Sequence, residues 1–90
     1  LANHQSAKKR IRSSERKRVH NRIFRSKTHS LDYRAREALA SGDLEAARTA
    51  VAEAIKQLDK AAGKGLIHPN NAARHKSRLA KGLAALEAQA

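Results

Sequence analysis

The chain has 90 residues, no cysteine, and 20 Lys or Arg against 8 Asp or Glu, for a formal net charge of +12. That length supports one small domain, the lack of thiols removes disulfides and thiolate metal sites, and no apolar run approaches the roughly 20 residues a bilayer span needs. So strong a basic excess argues for a polyanionic partner, with nucleic acid first and an anionic membrane surface second. The basic N-terminus lacks the apolar stretch of a secretory signal, and cytoplasm is the default expectation.

The charge is unevenly spread. Residues 1–36 carry 12 basic and 2 acidic groups, residues 37–62 carry 3 and 5, and residues 63–90 carry 5 and 1. Gly42, the Gly63/Gly65 pair and Pro69 mark three breaks, and Gly and Pro are absent from residues 1–41. No stretch alternates in the way a half-buried strand does.

The first element is a helix over about 6–40. Phe24, Thr28, Leu31, Ala35 and Ala38 step by four and three, which puts them on one face. The stripe begins near Val19 and Ile23, so the turns before it project past any bundle. Phe24 and Tyr33, the two aromatics, read as core or core-edge residues. Ser41-Gly42-Asp43 joins a helix-stopping Gly to a capping Asp. It opens a second helix over about 44–62, in which Leu44, Val51 and Leu58 step by seven with Ala47, Ala54 and Ala61 beside them. Asp43, Glu45, Glu53 and Asp59 read as the solvent face of that helix. Gly63-Lys64-Gly65 breaks it, and His68-Pro69 opens a third helix over about 69–88, since Pro is accepted in a first helical turn. There Ala72, Leu79, Leu83 and Leu86 form the apolar side. Three such faces joined by short turns predict an all-α, antiparallel three-helix bundle as a single domain over 1–90, with a long basic first helix and a thin, Ala-rich core.

The run KKRIRSSERKR, Lys8–Arg18, holds seven basic residues in eleven. On a wheel of about 100° per residue, with Lys8 at zero, Arg12 falls at about 40°, Lys9 at about 100° and Lys17 at about 180°. On the same wheel Arg10 falls at about 200°, Arg18 at about 280° and Arg22 at about 320°. A helix lying on a membrane needs a clear apolar face opposite its basic one, and this arm has none. Charge on every side suits a helix wedged between packed RNA segments better than one lying in a DNA groove. Ser6, Ser13, Ser14, His20, Asn21 and Ser26 add hydrogen-bond donors suited to phosphates and 2′-hydroxyls. The like-charged i,i+4 pairs Lys8/Arg12, Arg12/Arg16 and Arg18/Arg22 each oppose the helix by a few tenths of a kcal/mol. The arm is therefore expected to fray in the free protein and to become helical on a polyanion. The plainer reading of such a run is a solvated tail. The lack of Gly and Pro and the in-phase junction with the apolar stripe argue for ordered contact.

A second basic patch lies in AARHKSRL, residues 72–79. Arg74, Arg78 and Lys81 share one face, while His75 and Lys76 flank the core side and cover it with their stems. The turn GKGLIHPNN, residues 63–71, puts Lys64 and His68 beside a helix N-terminus where an anion is favoured. The alternative is a plain capped turn, with Leu66 and Ile67 closing the end of the bundle. The five histidines show no metal spacing, no Gly-rich loop follows a strand, and a core this thin offers no pocket for a poised base. An enzyme, a cofactor and a small-molecule substrate are not expected.

Ala2-Asn3 followed by SAKKR, and KGLIH followed by Asn70 and AARHKSRL, resemble bacterial small-subunit ribosomal protein twenty. The likeness covers nearly the whole chain. It implies a three-helix bundle, a structural role in the small ribosomal subunit, and direct binding to 16S rRNA at its 5′ domain and the long stem near its 3′ end. It carries RNA contact over to Ser6 and the arm's Lys8, Lys9, Arg10, Arg12, Arg16, Lys17 and Arg18. It does the same for His20, Asn21, Arg22, Arg25 and Lys27 nearer the bundle, and for Lys64, His68, Arg74, Lys76 and Arg78. There are two departures. Pro69 stands where the family usually has a basic residue, which removes an amide donor and a charge. Leu1 stands where Met is expected, as when a non-AUG start codon is translated literally. A DNA-compacting protein and a helical adaptor for an acidic protein are the other readings. The lack of a separate recognition helix counts against the first, and release by RNase would separate the second from RNA binding.

Overall fold

The structure is a computed structural model and describes residues 2–89, so the expectation about Leu1 lies outside it. Three helices account for nearly all of it: α1 over Ala2–Ser41, α2 over Leu44–Gly63 and α3 over Pro69–Gln89. The 40 residues of α1 make a rod of about 60 Å at ~1.5 Å per residue. The whole molecule measures 68 × 21 × 13 Å. Its radius of gyration is 18.1 Å, where a compact domain of this length has about 12 Å. The excess is the part of α1 that runs beyond the bundle.

Each boundary follows from local chemistry. Gly42 takes φ +80°, a conformation open to Gly at little cost. Asp43 then caps α2, its carboxylate accepting from the Ala46 amide at 3.2 Å. At the far end Gly65, at φ +76°, closes a Schellman turn. In that turn the Gly65 amide donates to the Ala62 carbonyl at 3.0 Å and the Leu66 amide to the Ala61 carbonyl at 2.9 Å. Pro69 is the first residue of α3, where its missing amide costs nothing.

Side-chain pairs fix the directions. Gln57 meets Thr28, so α2 runs antiparallel to α1. Lys76 meets Asp59 and Arg48 meets Glu87, so α3 runs antiparallel to α2. α2 lies between the other two and makes most of the contacts, while α1 and α3 touch least. At one of their meeting points, Gly82, an added Cβ would stand 2.9 Å from the Leu39 side chain.

The core is thin, as expected. Ala35, Ala47, Val51, Ala54, Leu58, Ala61, Ala72 and Leu79 are buried, with Leu31, Leu39, Ile55, Ile67 and Leu83 packed against them. Four of the five alanines belong to the predicted faces of α1 and α2. Leu79 is the largest fully buried side chain, and burial of a Leu stabilises by about 1.5–3 kcal/mol.

Two expectations are corrected. Tyr33 is 54% exposed, and is neither core nor core-edge. Val19 and Ile23, at 41% and 63%, do not begin the buried stripe. The reason is directional. Both α2 and α3 lie on one side of α1, and at about 100° per residue Val19, Ile23 and Tyr33 point more than about 100° away from that side. Burial starts at Phe24, which is half-buried, and becomes complete at Thr28.

Candidate nucleic-acid interface

The arm is what remains of α1 once the bundle has taken its share. Every described side chain from His4 to His20 is exposed except Ser13, which is half-buried. With no protein surface to pack on, the basic groups stay solvated on all sides. Lys8, Lys9, Arg12 and Arg16, with Gln5, line one shallow groove along it. Arg18 pairs with Glu15 at 3.8 Å, both well exposed, an arrangement that contributes little in water.

The structure joins the arm to the second patch. The turn after α2 comes back against the root of the arm, where Lys64 Nζ lies 4.8 Å from the centre of the Phe24 ring. That cation–π contact holds the α2–α3 turn beside His20, whose own ring lies 6.3 Å from Phe24. Arg22, Arg25 and Lys27 are exposed on the same stretch of α1, and Asn21 is half-buried.

The start of α3 is a capped turn. His68 Nδ1 accepts from the Asn70 amide at 3.1 Å, and the His68 carbonyl accepts from Ala72 at 3.1 Å. With Pro69 lacking an amide and Asn70 committed to the cap, fewer donors are left for an anion than the turn sequence suggests. His68 itself stays exposed. Because Nδ1 accepts, Nε2 carries the proton and can donate outward.

Along α3, Arg74, Arg78 and Lys81 are exposed as predicted. Arg74 donates to the Asn71 side chain at 2.8 Å, which steadies one end of the stripe. Lys76 differs from its neighbours. It is half-buried and its ammonium sits 2.6 Å from Asp59 of α2. Asp59, read from the sequence as a plain solvent-face acid, thus helps to tie α2 to α3.

A buried polar seam went unread in the sequence. Thr28, Asp32 and Gln57 are each about 95% buried. Thr28 donates its hydroxyl proton to the Phe24 carbonyl at 2.9 Å and accepts from Gln57 Nε2 at 3.2 Å. Asp32 Oδ2 lies 3.3 Å from the Arg36 guanidinium and 3.5 Å from His75 Nδ1 of α3. The signal was present: Phe24, Thr28 and Asp32 step by four, the same step that placed Thr28 on the stripe. Charge and amide chemistry hid Asp32 and Gln57.

The chemistry available is cationic contact. Among the described residues no group of three or more His, Cys, Asp or Glu is placed to hold a metal ion. Among them, too, no helix is long and apolar enough to cross a membrane. What the fold presents is a basic rod, a basic turn at its root and a basic stripe on α3.

Comparison with known proteins agrees with that arrangement. The profile of the family described as Ribosomal protein S20 matches residues 2–84. The chain belongs to that family. It is 49% identical over 86 residues to the small ribosomal subunit protein bS20 of Thermomicrobium roseum, covering 96% of this chain and 87% of the relative. It is 48% identical to bS20 of Francisella philomiragia over the full length of both. It is 50% identical to that of Pseudoalteromonas atlantica over 96% of this chain and 99% of the relative. The family is one of ribosomal proteins, not of enzymes. The resemblance drawn from the end motifs is thus carried by the whole chain.

Proposed function

We propose that this protein is a structural constituent of the small ribosomal subunit that binds 16S rRNA directly during assembly and acts by neutralising charge. The single observation that supports this reading best is the arm: a helix of about five turns, basic all round, with no protein against it. Family membership supplies the partner, since the relatives are named as small-subunit proteins. The arm and the α3 stripe bring together RNA segments that otherwise repel, and the turn at Lys64 and His68 adds contacts at the arm's root. The RNA regions are the 5′ domain and the long stem near the 3′ end, and the place of action is the ribosome in the cytoplasm.

A salt titration tests the proposal. If about ten phosphates are contacted, affinity for 16S rRNA falls by about four to five powers of ten between ~50 and ~200 mM salt. Affinity unchanged over that range contradicts it. Equal affinity for duplex DNA of the same length transfers the reading to general nucleic-acid binding.

A further inference from the structure

Between α1 and α3, next to the root of the arm, lies a cleft of about 140 Å³. Leu58 and Ile67 are the apolar residues of its lining. Two imidazoles line it, His29 from α1 and His75 from α3, and Arg25 and Asn71 also border it. Asp32 is about 95% buried and lines the same cleft.

The carboxylate is the informative group. A protein of net +12 that meets a polyanion gains nothing from a negative charge at the contact, and burying one is costly unless it is well paired. Asp32 has two donor neighbours, Arg36 at 3.3 Å and His75 at 3.5 Å, and both approach the same oxygen. An ionised carboxylate has about four acceptor sites, so acceptor capacity remains on a side chain that lines the cleft. The two contacts account for Oδ2. They do not account for the apolar residues Leu58 and Ile67 and the second imidazole, His29, that line the same cleft.

Those features together match the way proteins hold unstacked RNA bases: aromatic or guanidinium planes against the base face, and polar groups on its Watson–Crick edge. The carboxylate selects among the bases. Guanine alone presents two adjacent donors on that edge, N1–H and the N2 amino group. Adenine and cytosine pair one amino group with a ring acceptor, which a carboxylate repels, and uracil has a single imino donor.

We infer that the Asp32 cleft holds an unstacked guanine of the RNA, with the carboxylate on N1–H and N2–H₂, the imidazoles of His29 and His75 against the ring, and Arg25 on its phosphate. This rests on the rRNA-binding reading and adds to it a site of base recognition beside the phosphate contacts.

The test is guanine-specific probing of 16S rRNA with kethoxal, which reacts at N1 and N2. With the native chain bound, one unpaired guanine becomes protected. With Asp32→Asn that protection is lost at a protein concentration that keeps the other contacts, and the salt dependence is unchanged. Replacing that guanine by inosine in the RNA, which removes the N2 amino group, weakens binding of the native protein by about tenfold; this arm decides the matter even if the variant folds poorly. If the protein binds rRNA but protects no unpaired guanine, or if inosine binds equally well, the cleft assignment is overturned while rRNA binding stands. If no nucleotide of any kind is protected, both fall.

Discussion

The two halves of α1 are one unbroken helix with the same backbone, yet different forces hold them. From Phe24 onward the helix is set by burial: Thr28, Asp32 and Ala35 are covered by α2 and α3, and the turns at either end of α2 are closed by Gly42 and Gly65. Before His20 nothing covers it, and the repeated like-charged i,i+4 pairs oppose it. A helix whose amides are open to water and whose side chains bury nothing sits at the low end of local stability. The bundle is thus held by its own packing, whereas the arm is expected to gain its stability from what it binds.

Substitutions sharpen that contrast, and the largest effect belongs to the bundle. Leu79→Ala leaves a cavity in a core with few large side chains and is expected to cost about 2–5 kcal/mol, read as a lowered midpoint in thermal or urea unfolding. Gln57→Leu fills similar space but removes the donor to the Thr28 hydroxyl, and Thr28→Val strands the Gln57 amide. The latter is the more harmful of the two, at about 1–3 kcal/mol, by the same measurement. Asp43→Ala removes the cap of α2 and costs about 0.5–2 kcal/mol. Arg12→Ala and Arg16→Ala lie at the other extreme. Neither changes the unfolding midpoint measurably, but each weakens rRNA binding and lowers the slope of log affinity against log salt by about one. A shift in the midpoint comparable to that of Leu79→Ala would break the division between the two halves.

How much of this the sequence carried follows the same division. The breaks on either side of α2 and the start of α3 were legible because Gly42, Gly65 and Pro69 are residues with few conformational uses, whereas α1, expected from about residue 6, begins at Ala2. The Ala and Leu faces of α2 and α3 were legible because their period is strict. Tyr33, Val19 and Ile23 were misread because apolar character does not say which side of a helix the neighbours occupy. On a 40-residue helix packed along one side of its C-terminal half, apolar residues can point to water. Asp32 and Gln57 were missed for the opposite reason. Their position is set by the step of four, but a polar residue is buried only when a partner meets it. For Asp32 that partner is His75 and for Gln57 it is Thr28, each on a different helix and far away in the chain. The exposure of the basic candidates was legible except at Lys76, which is half-buried. The commitment of Lys76 to Asp59 and of His68 Nδ1 to the Asn70 amide was not, because each depends on geometry at a helix junction.

That the polyanion completes the arm is tested most directly by amide hydrogen exchange, followed residue by residue with and without 16S rRNA at low salt. Amides of residues 4–20 are expected to exchange freely in the unbound protein and to become strongly protected in the complex, while those of α2 are protected in both. Equal protection of the arm in the two states, or an arm that stays unprotected on rRNA, would contradict it.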